Sequence, residues 1–146
     1  DEYFFGKDLL VCPLTLEDGT SREVYLPEGN WYNFFTGEKI EGGRRLVLEA
    51  DWNEMLVFAR DGALVPVAEP VICVTEDTVF NITVKSFGTN KTGSCVLYED
   101  DFVSFNYESL VAKKQINVTV GDNGKFIVSG AKTSTKYHFL NCIVKD

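Results

Sequence analysis

Three carboxylates, Glu49, Asp51 and Glu54, stand around Trp52 and Asn53 in the stretch EADWNEMLVF, residues 49–58. Paired carboxylates beside an indole are what sugar-cleaving enzymes use, one acid protonating the leaving oxygen and one carboxylate attacking or activating water. A retaining pair, however, must approach the glycosidic carbon from opposite sides with the carboxyls about 5 Å apart, and two acids within one short turn can hardly flank a sugar ring. Asp and Asn favour turns, and Met-Leu-Val-Phe favours a sheet. The stretch is therefore expected to be a polar turn leading into a buried strand.

Other candidate chemistry is thin. The only histidine, His138, lies in TKYHFLN with no Ser or Cys in an activating context, so a satisfied strand histidine is expected. Glu99, Asp100 and Asp101 could present oxygens to a hard cation, but calcium needs a loop that folds around it, and Phe102 stands where a bend would want Gly. An acidic turn is expected there, and no metal site. Nothing matches a dinucleotide or phosphate loop, so no cofactor is expected.

Cys12, Cys73, Cys95 and Cys142 lie far apart, each beside Val or Ile, without the spacing of a zinc site or redox dithiol. They read as free thiols packed as small hydrophobes, with one or two disulfides as the alternative. Sequons at Asn81, Asn90 and Asn117 are taken as coincidental, since two fall inside expected strands. The aromatics Trp31, Tyr32, Phe34 and Phe35 in EGNWYNFFTGEKIEGG could grip a sugar ring. Alternation would set Trp31 with Asn33 and Phe35 on one face and Tyr32 with Phe34 on the other, which makes at least one pair core.

The elements that must position these residues read as strands throughout. Runs such as LLVCPL, REVYLP, RRLVLEA, MLVFAR, ALVPVA, VFNITVKSF, SCVLYE, QINVTVG, KFIVSG and KYHFLNCIV recur between Gly, Asp, Asn and Pro punctuation. No segment sustains a helical period. In INVTV, Ile116, Val118 and Val120 alternate with Asn117 and Thr119, and Asn123-Gly124 then supplies a hairpin turn. The expected class is all-β: an antiparallel β-sandwich over residues 1–74 followed by a smaller antiparallel β-domain over 75–146. The boundary rests on the two prolines and acidic turn of VPVAEPVICVTEDT. Units of about seventy residues bury a modest share of their surface and should lean on each other or on something else.

Composition excludes whole classes. With 146 residues and 45% hydrophobic content, the chain can bury a core. A net charge of −8 with scattered Lys and Arg offers no stripe for nucleic acid. No apolar run approaches the roughly 20 residues that cross a bilayer, and DEYFFGKDLL lacks the basic start of a signal peptide. Its abrupt aromatic start reads as a chain cut from something longer.

The order DEYFFGKDLLVCPLT, SREVYLPEGNWYNFFTGEKIEGG, VFARDGALVPVAEPV and LYEDDFVSFNYE closely resembles the C-terminal tail of glycoside hydrolase family 31, the α-glucosidases and α-xylosidases. The resemblance covers nearly the whole chain and implies a proximal β-sandwich, N-terminally incomplete, followed by a distal β-domain. It also implies that the two catalytic aspartates sit on a TIM barrel outside this chain, so that no residue here inherits a catalytic role. The likeness of Asp51-Trp52-Asn53-Glu54-Met55 to the family's nucleophile stretch is superficial, and in family register the segment is the polar step into VFARDG. Two departures stand out: Phe102 replaces the Gly of the distal acidic turn, and Met55-Leu56 replaces an Ile-Pro or Met-Pro entry.

The resulting expectation is a non-catalytic fragment that braces the missing barrel and self-associates when isolated through the surface that met it. Trp31, Tyr32, Phe35 and Trp52 are its expected contact residues, toward the barrel or toward an oligosaccharide. The alternative is a carbohydrate-binding module using the same aromatics.

Overall fold

The computed structural model describes residues 1–15, 20–51, 53–88, 92–98, 105, 113–120, 126–129 and 136–145. Trp52, the acidic run Glu99–Asp101 with Phe102, Asn90 and the Asn123-Gly124 turn lie outside the described residues. Every regular element among the described residues is a strand, and the pairings with assigned register are antiparallel. The all-β class read from the sequence is the one found.

The strands in chain order are β1 (Tyr3–Phe5), β2 (Leu9–Cys12), β3 (Ser21–Leu26), β4 (Asn30–Asn33), β5 (Lys39–Glu41), β6 (Arg44–Glu49) and β7 (Leu56–Arg60). Then come β8 (Leu64–Ala68), β9 (Phe80–Phe87), β10 (Thr92–Tyr98), β11 (Lys113–Val120), β12 (Phe126–Ser129) and β13 (Tyr137–Lys145). They fall into two units. One comprises Asp1–Ala63, Phe87–Asn90 and Lys145–Asp146, and the other Leu64–Ser86 and Lys91–Val144.

The first unit is a sandwich. A five-stranded sheet in the order β1-β2-β7-β4-β5 faces the two-stranded sheet β3-β6. Period-2 patterning fixes which side chains meet: Val24 and Leu26 of β3 are buried while Glu23 and Tyr25 between them are exposed. On β6, Leu46 and Leu48 pack inward and Arg45, Val47 and Glu49 outward. These apolar residues close on Leu10, Cys12, Trp31, Leu56 and Phe58 of the larger sheet. Leu56 to Ala59 of β7 are buried without a break, as a central strand covered on both faces requires. On that second face Tyr32 lies opposite Ala59 and packs against Phe87, ring centroids 6.4 Å apart.

The second unit holds the sheets β13-β9-β8 and β10-β11-β12. Its core gathers Leu64, Ile82 and Val84, with Phe80, Leu97, Tyr137, Phe139, Cys142 and Val144 packed around them. Phe80 stacks on Tyr137 with ring centroids 6.1 Å apart.

Candidate functional site

Two of the chain's crossings between the sheets of the sandwich meet at one corner, and the aromatic-rich motif builds it. Between β3 and β4 the turn Pro27-Glu28-Gly29 crosses to the larger sheet; between β5 and β6 Gly42-Gly43 crosses back. The two crossings are stitched together: Gly42 N–H donates to the Gly29 carbonyl (2.8 Å) and Gly43 N–H to the Leu26 carbonyl (2.8 Å). Trp31 closes the corner by donating its indole Nε1–H to the Pro27 carbonyl at 2.8 Å. A buried indole N–H needs such an acceptor, so the motif couples a hydrophobic plug to a polar latch.

Trp31 is 0% exposed and Tyr32 2% exposed. Neither ring offers a face to a sugar or to another domain in this structure. The expected alternation through Phe35 stops at Asn33, whose Oδ1 accepts from the Phe35 and Thr36 N–H groups (2.9 and 3.0 Å) and turns the chain. Phe34 therefore leaves the strand, packing 5.7 Å from Phe87, and Phe35 stands edge-on to it at 5.3 Å while remaining 56% exposed. Of the four aromatics read from sequence as contact residues, Phe35 is the described one with its ring at the surface.

The acidic stretch that opened the sequence reading is a closed turn. Glu54 N–H donates to the Asp51 carbonyl (2.8 Å), and the Glu54 carboxylate reaches back to the Asp51 N–H (3.3 Å). Asp51 and Glu54 are exposed, and the turn before β7 is closed by the Asp51 backbone and the Glu54 carboxylate. His138 is exposed, with Nδ1 3.3 Å from Asn81 Oδ1, while Asn81 donates its amide to Glu69 at 2.8 Å. This carboxylate, amide and imidazole row faces outward on the β13-β9-β8 sheet and includes no nucleophile. Among the described residues no cluster of His, Cys, Asp and Glu could hold a metal ion.

Cys12, Cys73 and Cys142 are free thiols. Burial pushes the Cys12 thiol up to about 12, and the nearby Glu2 carboxylate acts in the same direction. Burial also raises Cys142. A thiol held protonated this way is packing material.

The surface feature missed in the sequence reading is β1. Tyr3, Phe4 and Phe5 are 54%, 47% and 68% exposed at one edge of the five-stranded sheet. Phe4 rests beside the guanidinium of Arg60 (5.5 Å to the ring centroid), which also covers the Trp31 ring at 5.0 Å. The signal was there in Tyr-Phe-Phe, but three residues are too short for a periodicity.

These features define an all-β protein of two small antiparallel units whose aromatic-rich motif serves the sandwich corner. Residues 1–65 match the glycosyl hydrolase family 31 C-terminal domain. The chain is 33% identical over 141 residues to the 1,6-alpha-glucosyltransferase of Sporosarcina globispora, covering 92% of this chain and 11% of that protein. It is 35% identical over 109 residues to the alpha-xylosidase of Saccharolobus solfataricus, covering 74% of this chain and 15% of that protein. Among solved structures, the family 31 alpha-xylosidase from Xanthomonas citri superposes with a TM-score of 0.77 at 30% identity, over 100% of this chain and 16% of that one. The chain belongs to glycosyl hydrolase family 31, as the C-terminal β-region of its α-glucosidase- and α-xylosidase-like enzymes. It spans only 11–16% of the length of these relatives.

Proposed function

We propose that this chain is the non-catalytic C-terminal β-region of a retaining α-glycosidase, of α-glucosidase or α-xylosidase type, and that it braces the enzyme's catalytic barrel. Residues 1–74 form the proximal domain in this reading and 75–146 the distal one, with β8 supplied across that limit to the sheet of β9 and β13. The observation that carries it is the match along the whole chain to a family 31 alpha-xylosidase of which it covers 16%. The closed turn at Asp51 and Glu54 supports it, because the Glu54 carboxylate holds a backbone bend and two acids within one short turn can hardly flank a sugar ring.

The purified chain should not hydrolyse aryl α-glucosides or α-xylosides. Robust turnover that one point mutation in this chain abolishes would overturn the reading. The carbohydrate-binding alternative draws on Phe35 alone of the described candidates, since Trp31 and Tyr32 are buried. Titration calorimetry with maltooligosaccharides and xyloglucan fragments should therefore release no binding heat.

A further inference from the structure

Residues 69–79 join β8 to β9, two neighbouring antiparallel strands of one sheet, where a hairpin loop takes about two to five residues. The ladder ends at the Glu69 N–H, which donates to the Asn81 carbonyl at 2.9 Å. Pro70 then has no N–H with which to continue it. Order resumes at Thr75, whose N–H donates to Thr78 Oγ1 at 2.7 Å and whose carbonyl accepts from the Thr78 N–H at 3.1 Å. Among the described residues, no backbone hydrogen bond involves Pro70, Val71, Ile72, Cys73 or Val74.

The apolar side chains of this segment are outside the core as well. Val71, Ile72 and Val74 are exposed, within a run of exposed residues from 68 to 77. An endopeptidase takes its substrate as an extended strand paired along the cleft through main-chain hydrogen bonds, so an unpaired backbone can enter without unfolding. The side chains it would meet are branched and aliphatic.

A cut here leaves each unit built from both pieces. The first unit takes Phe87–Asn90 from beyond the cut, with Phe87 bonded to Gly62 and Ala63 and its ring on Tyr32 and Phe34. The second takes β8 from before the cut: β8 pairs with β9 from Leu64 opposite Ser86 to Ala68 opposite Ile82, and Leu64 shares the core with Ile82 and Val84. Each piece completes a unit that the other begins.

We propose that Val71–Val74 is a site of limited proteolysis, read by an endopeptidase whose S1 pocket takes Val or Ile, and that the cut chain persists as one two-piece particle. Hydrolysis breaks one peptide C–N bond: the hydroxyl of a water molecule goes to the carbonyl carbon and its remaining proton to the released nitrogen. The new carboxylate and ammonium ends fall where the backbone makes no hydrogen bond, so the strand pairing survives. The inference does not rest on the bracing role.

Brief digestion of the full chain with an elastase should yield two fragments whose masses place the cut within Val71–Val74. The fragments should co-elute from gel filtration with the circular dichroism spectrum of the intact chain, and part only in urea. Combining Val71→Asp, Ile72→Asp and Val74→Asp, all at exposed positions, should leave the spectrum unchanged and slow the cut by more than about tenfold, since an apolar pocket discriminates by that much over a single methylene. A first cut elsewhere in the chain, or one that the triple variant leaves at the wild-type rate, overturns the inference. Fragments that separate in buffer without urea also overturn it.

Discussion

Trp31 links the polar and apolar chemistry of the corner: its ring is 0% exposed, its N–H is latched to Pro27, and Arg60 lies over it. Trp31→Ala should cost about 3–5 kcal/mol in urea denaturation, the range for emptying a large aromatic site, whereas Trp31→Phe should lose mainly the latch, about 1 kcal/mol. Equal effects of the two substitutions would show that the hydrogen bond, and not the ring volume, holds the corner. Cys12 gives a prediction in pH. Its folded-state pKa is raised from 9.0 to about 12, so above pH 9 the unfolded chain releases the thiol proton while the folded chain keeps it. The unfolded state then binds fewer protons, and stability falls as pH rises from about 9 towards 12. Wild type should lose stability more steeply over that window than Cys12→Ala, and exposed Cys73 should react with a thiol reagent at pH 8 while Cys12 waits for unfolding. At this scale the sequence showed residue types but not their exposure. Whether Trp31 and Tyr32 face a ligand or a core depends on β4 being an interior strand, paired with β5 on one side and β7 on the other, and that is decided by residues far along the chain.

The elements most legible in sequence are those long enough to show a pattern. β3, β6, β7 and β9 display alternation or an apolar run of five residues or more, and the structure has them close to where the pattern lies. β1, β4 and β5 have only three or four residues each, too few for a period, so their aromatics read as a cluster. The corner joining β3 to β4 and β5 to β6 was illegible for another reason: its hydrogen bonds join Leu26 and Gly29 to Gly43 and Gly42 across two intervening strands. Gly42 tests it. A Cβ there would run into the Pro27 carbonyl oxygen and lie 3.0 Å from that of Gly29, and backbone cannot swing aside as a side chain can. Gly42→Ala should therefore destabilise the sandwich by about 1–3 kcal/mol in denaturant titration. Gly6→Ala, at φ +66° with open space around the new methyl, should cost only the left-handed backbone strain of about 1–2 kcal/mol, without disturbing the corner. A corner that tolerates Gly42→Ala with no change in midpoint would mean the two crossings are not in register as described.

For the whole molecule, class and family were legible because ordered motifs along nearly the entire chain carry them, and the match over residues 1–65 with the relatives beyond it agrees. What local sequence could not show is how distant segments complete the first unit. Phe87 and Gly88 belong with it: Phe87 exchanges hydrogen bonds with the Ala63 carbonyl (3.0 Å) and the Gly62 N–H (2.9 Å), and its ring packs against Tyr32 and Phe34. Gly88 N–H donates to the Lys145 carbonyl at 2.8 Å, which ties the chain's far end to the same unit. A chain truncated after residue 74 keeps every strand of the sandwich but removes the ring that covers Tyr32. Uncovering two aromatics should lower its unfolding free energy by about 2–4 kcal/mol relative to the same unit in the full chain, read as a shift of the urea midpoint followed by tyrosine fluorescence. A truncated chain with an unchanged midpoint would mean that β1 to β7 carry their own stability, and that Phe87 and Lys145 only rest on a finished sandwich.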